Sequence, residues 1–111
     1  MIRQITDVNE FSGFLEQEAA VLAYFSTVEC NVCKVLKPKV FEILEKDFPK
    51  VKMVYVEINQ SPELAARYTV FAVPTLVVFF EGREYIRKSR NFGLEEFRNE
   101  LRRPYELMFS E

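Results

Sequence analysis

Ala20-Val21-Leu22-Ala23-Tyr24-Phe25-Ser26-Thr27-Val28-Glu29-Cys30-Asn31-Val32-Cys33-Lys34 joins a continuous apolar run to two cysteines with two residues between them. An unbroken run such as Ala20 to Ser26 marks a strand covered on both faces. The cysteine spacing lets a strand-to-helix turn bring both sulfurs within bonding distance, with Cys30 at the leading end of the helix. There the unpaired backbone N–H groups and the positive end of the macrodipole favour a thiolate. The thiolate is the attacking species, and Cys33 stands ready to resolve a mixed disulfide. These are the only two cysteines, and there is no histidine. Ser-His-Asp and Cys-His catalysis and His metal ligands are therefore excluded.

The flanking pattern alternates strand and helix. Arg3 to Thr6 reads as a short strand. Asp7 is a good cap for a helix with Val8, Phe11, Phe14 and Leu15 on its apolar face. A helix is expected from about Asn31 to Phe48, with Val35, Leu36, Val40, Phe41 and Leu44 inward and a kink at Pro38. Val51 to Ile58 alternates as a strand, Val54, Val56 and Ile58 on one face and Met53, Tyr55 and Glu57 on the other. Ser61-Pro62 opens a short helix with Ser61 as cap. Thr75 to Phe80 is a second buried strand, and a turn at Glu81-Gly82 leads to Arg83–Ser89. That segment carries four basic residues through Arg90 and suits a sheet edge. Leu94 to Arg103 is the last helix, with Leu94, Phe97 and Leu101 buried, and Pro104 should stop or bend it.

These elements predict an α/β domain with a mixed central sheet of about five strands and helices on both faces. The first two strands, joined by a helix, are expected to pair in parallel through a right-handed crossover. The last two are antiparallel neighbours. Ligand sites in such sheets lie at the carboxyl ends of strands, where Cys30 falls.

A chain of 111 residues, 49% hydrophobic with eleven Phe, is most simply one domain over residues 1–111 with a real core. A net charge of −2 with scattered basic residues gives no electrostatic case for nucleic acid or a membrane surface. Met1-Ile2-Arg3-Gln4-Ile5-Thr6-Asp7 has no apolar signal core, and no run approaches a bilayer span. A CxxC pair without an export signal fits a reducing, cytoplasmic setting.

Cys30-Asn31-Val32-Cys33-Lys34, Pro38 five residues on, and Val73-Pro74-Thr75 before a hydrophobic strand ending at Gly82 together resemble the thioredoxin family over nearly the whole chain. The resemblance implies a thioredoxin fold with Val73-Pro74 in the cis form beside the cysteines. It also implies that the backbone of Val73 pairs with an extended partner segment, and that Pro74 restricts metal access to the sulfurs. On this basis the partner-binding residues are Glu29, Asn31, Val32, Val73, Pro74 and Thr75. No metal or cofactor is implied. A complete zinc site needs about four ligands, which one chain does not supply, and Pro74 argues against a cluster shared by two chains.

The chain also departs from the family pattern. Glu29 replaces the usual tryptophan before the first cysteine, and the protein has no tryptophan. Glu29 opposes a thiolate at Cys30, whereas Lys34 and the helix terminus favour it. The family's buried acid falls at Tyr24 and its lysine partner at Tyr55, so both charges are lost together and neither is orphaned. Tyr24, Glu57 or water then has to stand in for the acid that helps deprotonate Cys33. The family's glycine near the end of the fifth strand falls at about Arg90-Asn91, where Arg90 would crowd the groove or select acidic partners.

The function expected is thiol–disulfide exchange that reduces protein disulfides through a Cys30–Cys33 cycle, with electrons from a thioredoxin reductase or another thiol donor. A second reading stays open: a thioredoxin-fold binding or redox-sensing module with little general catalysis. So does the blander reading of the cysteines as an inert structural disulfide. Phe71 belongs either to a partner-binding rim or beneath its loop. The apolar tail Tyr105-Glu106-Leu107-Met108-Phe109 either docks on its own domain or forms a dimer contact, so the chain is a monomer or weak dimer.

Overall fold

Successive side chains of the second strand point to opposite faces, and that alternation divides the core into two halves. The computed structural model describes residues 2–90 and 92–110. Strand β1 (Arg3–Gln4) is followed by helix α1 (Val8–Gln17), β2 (Ala20–Ser26), α2 (Asn31–Asp47), β3 (Lys52–Glu57), α3 (Pro62–Arg67), β4 (Thr75–Phe80), β5 (Arg83–Ser89) and α4 (Leu94–Phe109). Every residue of β2 is buried. Ala20, Leu22 and Tyr24 pack with Val40, Ile43 and Leu44 of α2 and Phe97 and Leu101 of α4. Val21, Ala23 and Phe25 pack on the other side with Phe11 and Leu15 of α1 and Leu64 of α3. The sheet is therefore sandwiched, α2 and α4 on one face, α1 and α3 on the other.

The strand order is β1-β3-β2-β4-β5. β3 runs parallel to both β1 and β2, while β4 is antiparallel to β2 and β5. The expectation that the first two strands pair directly is corrected, because β3 lies between them. β1 is two exposed residues long, too short to satisfy β2, which is buried on both faces and takes the longer β3 and β4 as neighbours. β1 is left at the edge, its pairing extended by the Ile5 N–H to the Tyr55 carbonyl at 3.0 Å.

Three local readings are also revised. Val35 is 59% exposed, and Ile43 is buried in its place. At 3.6 residues per turn Val35 stands roughly 200° around the helix from buried Cys33, which leads the stripe through Val40, Ile43 and Leu44. Helix α4 continues through Pro104 to Phe109. The lost backbone donor is offset by packing: the Tyr105 ring meets Phe48 edge-on at 5.1 Å, Phe109 lies against Tyr105, and the Tyr105 hydroxyl accepts from the Lys50 N–H at 3.1 Å. The tail thus docks on its own core. Ser61 stands at the cap position of α3, but its hydroxyl makes no capping bond and the turn is closed by its carbonyl. Asp7, by contrast, caps α1 as expected, accepting from the Glu10 N–H at 2.9 Å. Among the described residues no helix is long and apolar enough to cross a membrane.

The β4–β5 hairpin turns through Glu81 at φ 52° and Gly82 at φ 81°. Two consecutive positive φ values define a tight type I′ turn, which favours Asn-Gly. A Cβ at Gly82 would meet nothing nearer than the Leu15 carbonyl at 3.9 Å, so the backbone angle and not space requires glycine. Glu81 has no such freedom. Glu81→Asn should stabilise the fold by about 0.5–1 kcal/mol, raising Tm by roughly 2–6 °C in a thermal melt.

Candidate active site

Cys30 occupies the N-cap of α2, with φ −81° and ψ 105°. A residue there has an extended backbone while its side chain turns back over the first helical turn. In this chain the atom that turns back is sulfur. The Cys33 N–H donates to Cys30 Sγ at 3.1 Å, a contact that strengthens when the sulfur carries negative charge. Cys30 and Cys33 are joined as a disulfide, their Cα atoms 5.2 Å apart. Cys30 is part-exposed and Cys33 is 1% exposed. Cys30 is therefore the member of the pair that a partner can reach, while Cys33 lies within the core.

The Val73-Pro74 peptide is cis. Pro74 and Thr75 are buried, and Val73 is half-buried. Thr75 Oγ1 donates to the Ala72 carbonyl at 2.6 Å and meets Ser89 Oγ at 3.1 Å, so this side chain shapes the loop from within. Arg90 has φ 59°, a left-handed conformation usual for glycine, and its N–H donates to the Pro74 carbonyl at 2.8 Å. The end of β5 is thereby tied to the proline loop. Asn91 lies outside the described residues. Glu29, Asn31, Val32 and Lys34 are exposed around the cysteines. Phe71 is 87% exposed, which places its ring outside the loop and not beneath it.

Tyr24 is fully buried behind the cysteines and donates its hydroxyl to the Cys33 carbonyl at 2.7 Å. Burial, followed by the neighbouring Tyr55, pushes its phenol well above the ordinary range. It is a neutral donor to backbone, and even less of it is phenolate at neutral pH than in an ordinary tyrosine. Tyr55 stacks on it with ring centres 6.3 Å apart, and Lys37 Nζ lies 4.0 Å over the Tyr55 ring. A cation on an aromatic face is favourable, more so where water is scarce. The one sequence signal for Lys37 is its spacing, four residues after Cys33 on the same helical face. Tyr24→Phe should cost about 1 kcal/mol in urea unfolding, the usual worth of one buried hydrogen bond.

Glu57 is 2% exposed at the end of β3. One carboxylate oxygen accepts from the Val28 N–H at 3.1 Å, and the other accepts from the N–H groups of Asn59 at 2.6 Å and Gln60 at 3.1 Å. Both oxygens are occupied by backbone. Glu57 holds the loop before Cys30 to the loop after β3, which is a different task from moving a proton at Cys33.

A thioredoxin family model matches residues 2–103. A thioredoxin-like protein of Bacillus subtilis, YdfQ, is 32% identical over 95 residues, covering 86% of this chain and 84% of that protein. A thioredoxin of Buchnera aphidicola is 35% identical over 85 residues, covering 77% and 78%. Among solved structures, a thioredoxin of Fasciola hepatica superposes with TM-score 0.79 at 25% identity, covering 90% of this chain and 97% of that one. A mutant thioredoxin of Halobacterium salinarum shares the fold with TM-score 0.81 at 21% identity, covering 99% and 92%.

Proposed function

This chain belongs to the thioredoxin family and is a thiol–disulfide oxidoreductase, and from that footing we propose that it reduces disulfides in other proteins, as a single domain over residues 1–111 in a reducing compartment. The observation that carries this reading is the asymmetric pair: a reachable sulfur capped by a helix N–H, and a buried sulfur linked to it. In the reduced protein the Cys30 thiolate attacks one sulfur of a partner disulfide. The partner's other sulfur leaves as a thiolate, and a mixed disulfide forms. Cys33 loses its proton and attacks Cys30 Sγ, and the second partner sulfur departs. Two electrons have moved to the partner, and Cys30–Cys33 is oxidised again. A thiol donor outside the chain then restores the dithiol. The Val73 backbone is assigned to the partner chain, and Glu29, Asn31, Val32 and Arg90 to the rim around it.

With Tyr24 donating to a carbonyl and Glu57 held by backbone, water takes the proton from Cys33 in this proposal. Resolution of mixed disulfides should then be slower than in relatives that keep the buried acid. Insulin reduction with dithiothreitol, followed by turbidity, tests the activity itself, and equilibration with glutathione tests the direction of electron flow. Turbidity that rises well above the dithiothreitol blank, with a reduction potential below that of glutathione, is expected. No acceleration over the blank overturns the reductant reading.

A further inference from the structure

An open groove of about 490 Å³ runs along the exposed side of α2, beginning at Asn31 and Val32 between the two cysteines and ending at Lys39. Val35, Leu36, Phe92 and Leu94 line it. Val32 and Val35 are 65% and 59% exposed, an unusual placement for two branched apolar residues one turn apart on a helix. Among the described residues no carboxylate lines the groove. Three of the four acids of the neighbouring helix α4 are engaged within the molecule: Glu95 pairs with Arg98, and Glu96 and Glu100 pair with Lys88. Lys39 is exposed and joins no ion pair among the described residues.

We propose that this groove seats the substrate protein itself, as an extended segment with apolar side chains beside its reactive cysteine and an acidic side chain further along. The proposal rests on the oxidoreductase reading and adds the class of substrate. Two observations select this occupant. The groove begins at Asn31 and Val32, the two residues between the cysteines, so a chain whose sulfur reaches Cys30 stands close to its mouth. The groove also closes on an unpaired cation, which an acidic side chain complements. The eight helical rises from Asn31 to Lys39 span about 12 Å, the length of roughly four residues of extended chain. The acidic residue therefore falls about four positions from the substrate cysteine, with the apolar contacts between them.

The test compares two peptides, each carrying one cysteine in a mixed disulfide with a small thiol. One has leucines next to the cysteine and a glutamate four positions away on both sides; the other has serines and a lysine there. Second-order rate constants for reduction by the dithiol protein are measured at low salt. The expected result is reduction of the Leu/Glu peptide faster by about tenfold, as one well-buried apolar side chain predicts. Val35→Asp should bring the ratio close to unity, and Lys39→Glu should remove the preference for glutamate, with thermal melts checking that both variants fold. Equal rates for the two peptides with the wild-type protein, while insulin is still reduced, overturn the groove alone. Failure to reduce insulin and both peptides overturns the oxidoreductase reading and the groove with it. Concentration-dependent self-association by analytical ultracentrifugation, abolished by Val35→Asp, would make a second copy the occupant and overturn the substrate assignment.

Discussion

Cys30→Ser should lower insulin reduction to the dithiothreitol background, whereas Cys33→Ser should stall with partners bound covalently through Cys30. Serine carries a hydroxyl that stays protonated near neutral pH in place of a thiolate, so the first substitution removes the nucleophile, and the loss should be on the order of a thousandfold or more. The second leaves the exposed sulfur and its N–H donor in place, because the cap contact uses the backbone of residue 33 and not its side chain. Attack still occurs, but no second sulfur follows. Non-reducing electrophoresis of a lysate treated with Cys33→Ser should show ladders that collapse with dithiothreitol and are absent in the Cys30→Ser, Cys33→Ser double variant. Free turnover by Cys30→Ser would refute the assignment of the attacking sulfur.

Glu57→Ala should be among the most damaging changes away from the sulfurs. It removes the acceptor for the Val28 and Asn59 N–H groups, while Gln60 keeps a second partner in the Glu57 carbonyl. It also leaves a void where a long side chain was buried. Donors stripped of a charged acceptor cost about 1–3 kcal/mol each when water does not reach them, and Val28 and Asn59 are in part solvated. A total of about 2–4 kcal/mol is expected, or roughly 8–20 °C in Tm for a domain of this size. Because the Val28 loop leads into Cys30, the variant should also reduce insulin more slowly below its melting point. Glu57→Gln keeps one acceptor oxygen and should fall between the two. A melt within 1 °C of the wild type would show that the clamp contributes little.

Much of this architecture was legible in the sequence because its signals are local. The apolar run Ala20–Ser26, the CxxC, the Glu81-Gly82 turn and the alternation through Met53–Ile58 each depend on neighbours a few residues apart. The pairing of β3 between β1 and β2 was not legible, since it is decided by which strand offers β2 the longer buried partner. Nor was the passage of α4 through Pro104, where a local rule for proline is outweighed by Tyr105 and Phe109 packing near Phe48. At the site, the exposed ring around Cys30 was readable from family likeness. The duties of Glu57 and Lys37 were not, because a carboxylate facing three backbone donors and an ammonium over a ring exist only after distant segments meet. Val35 suits the interior by residue type, but its helical phase turns it outward.

The difference in depth between the two sulfurs has a kinetic consequence. A thiol donor arriving to recharge the oxidised protein finds Cys30 within reach and Cys33 within the core. Donor and substrate must therefore use the same doorway, one after the other. Steady-state data should give parallel reciprocal plots, with each reactant inhibiting the other's half-reaction when present in excess.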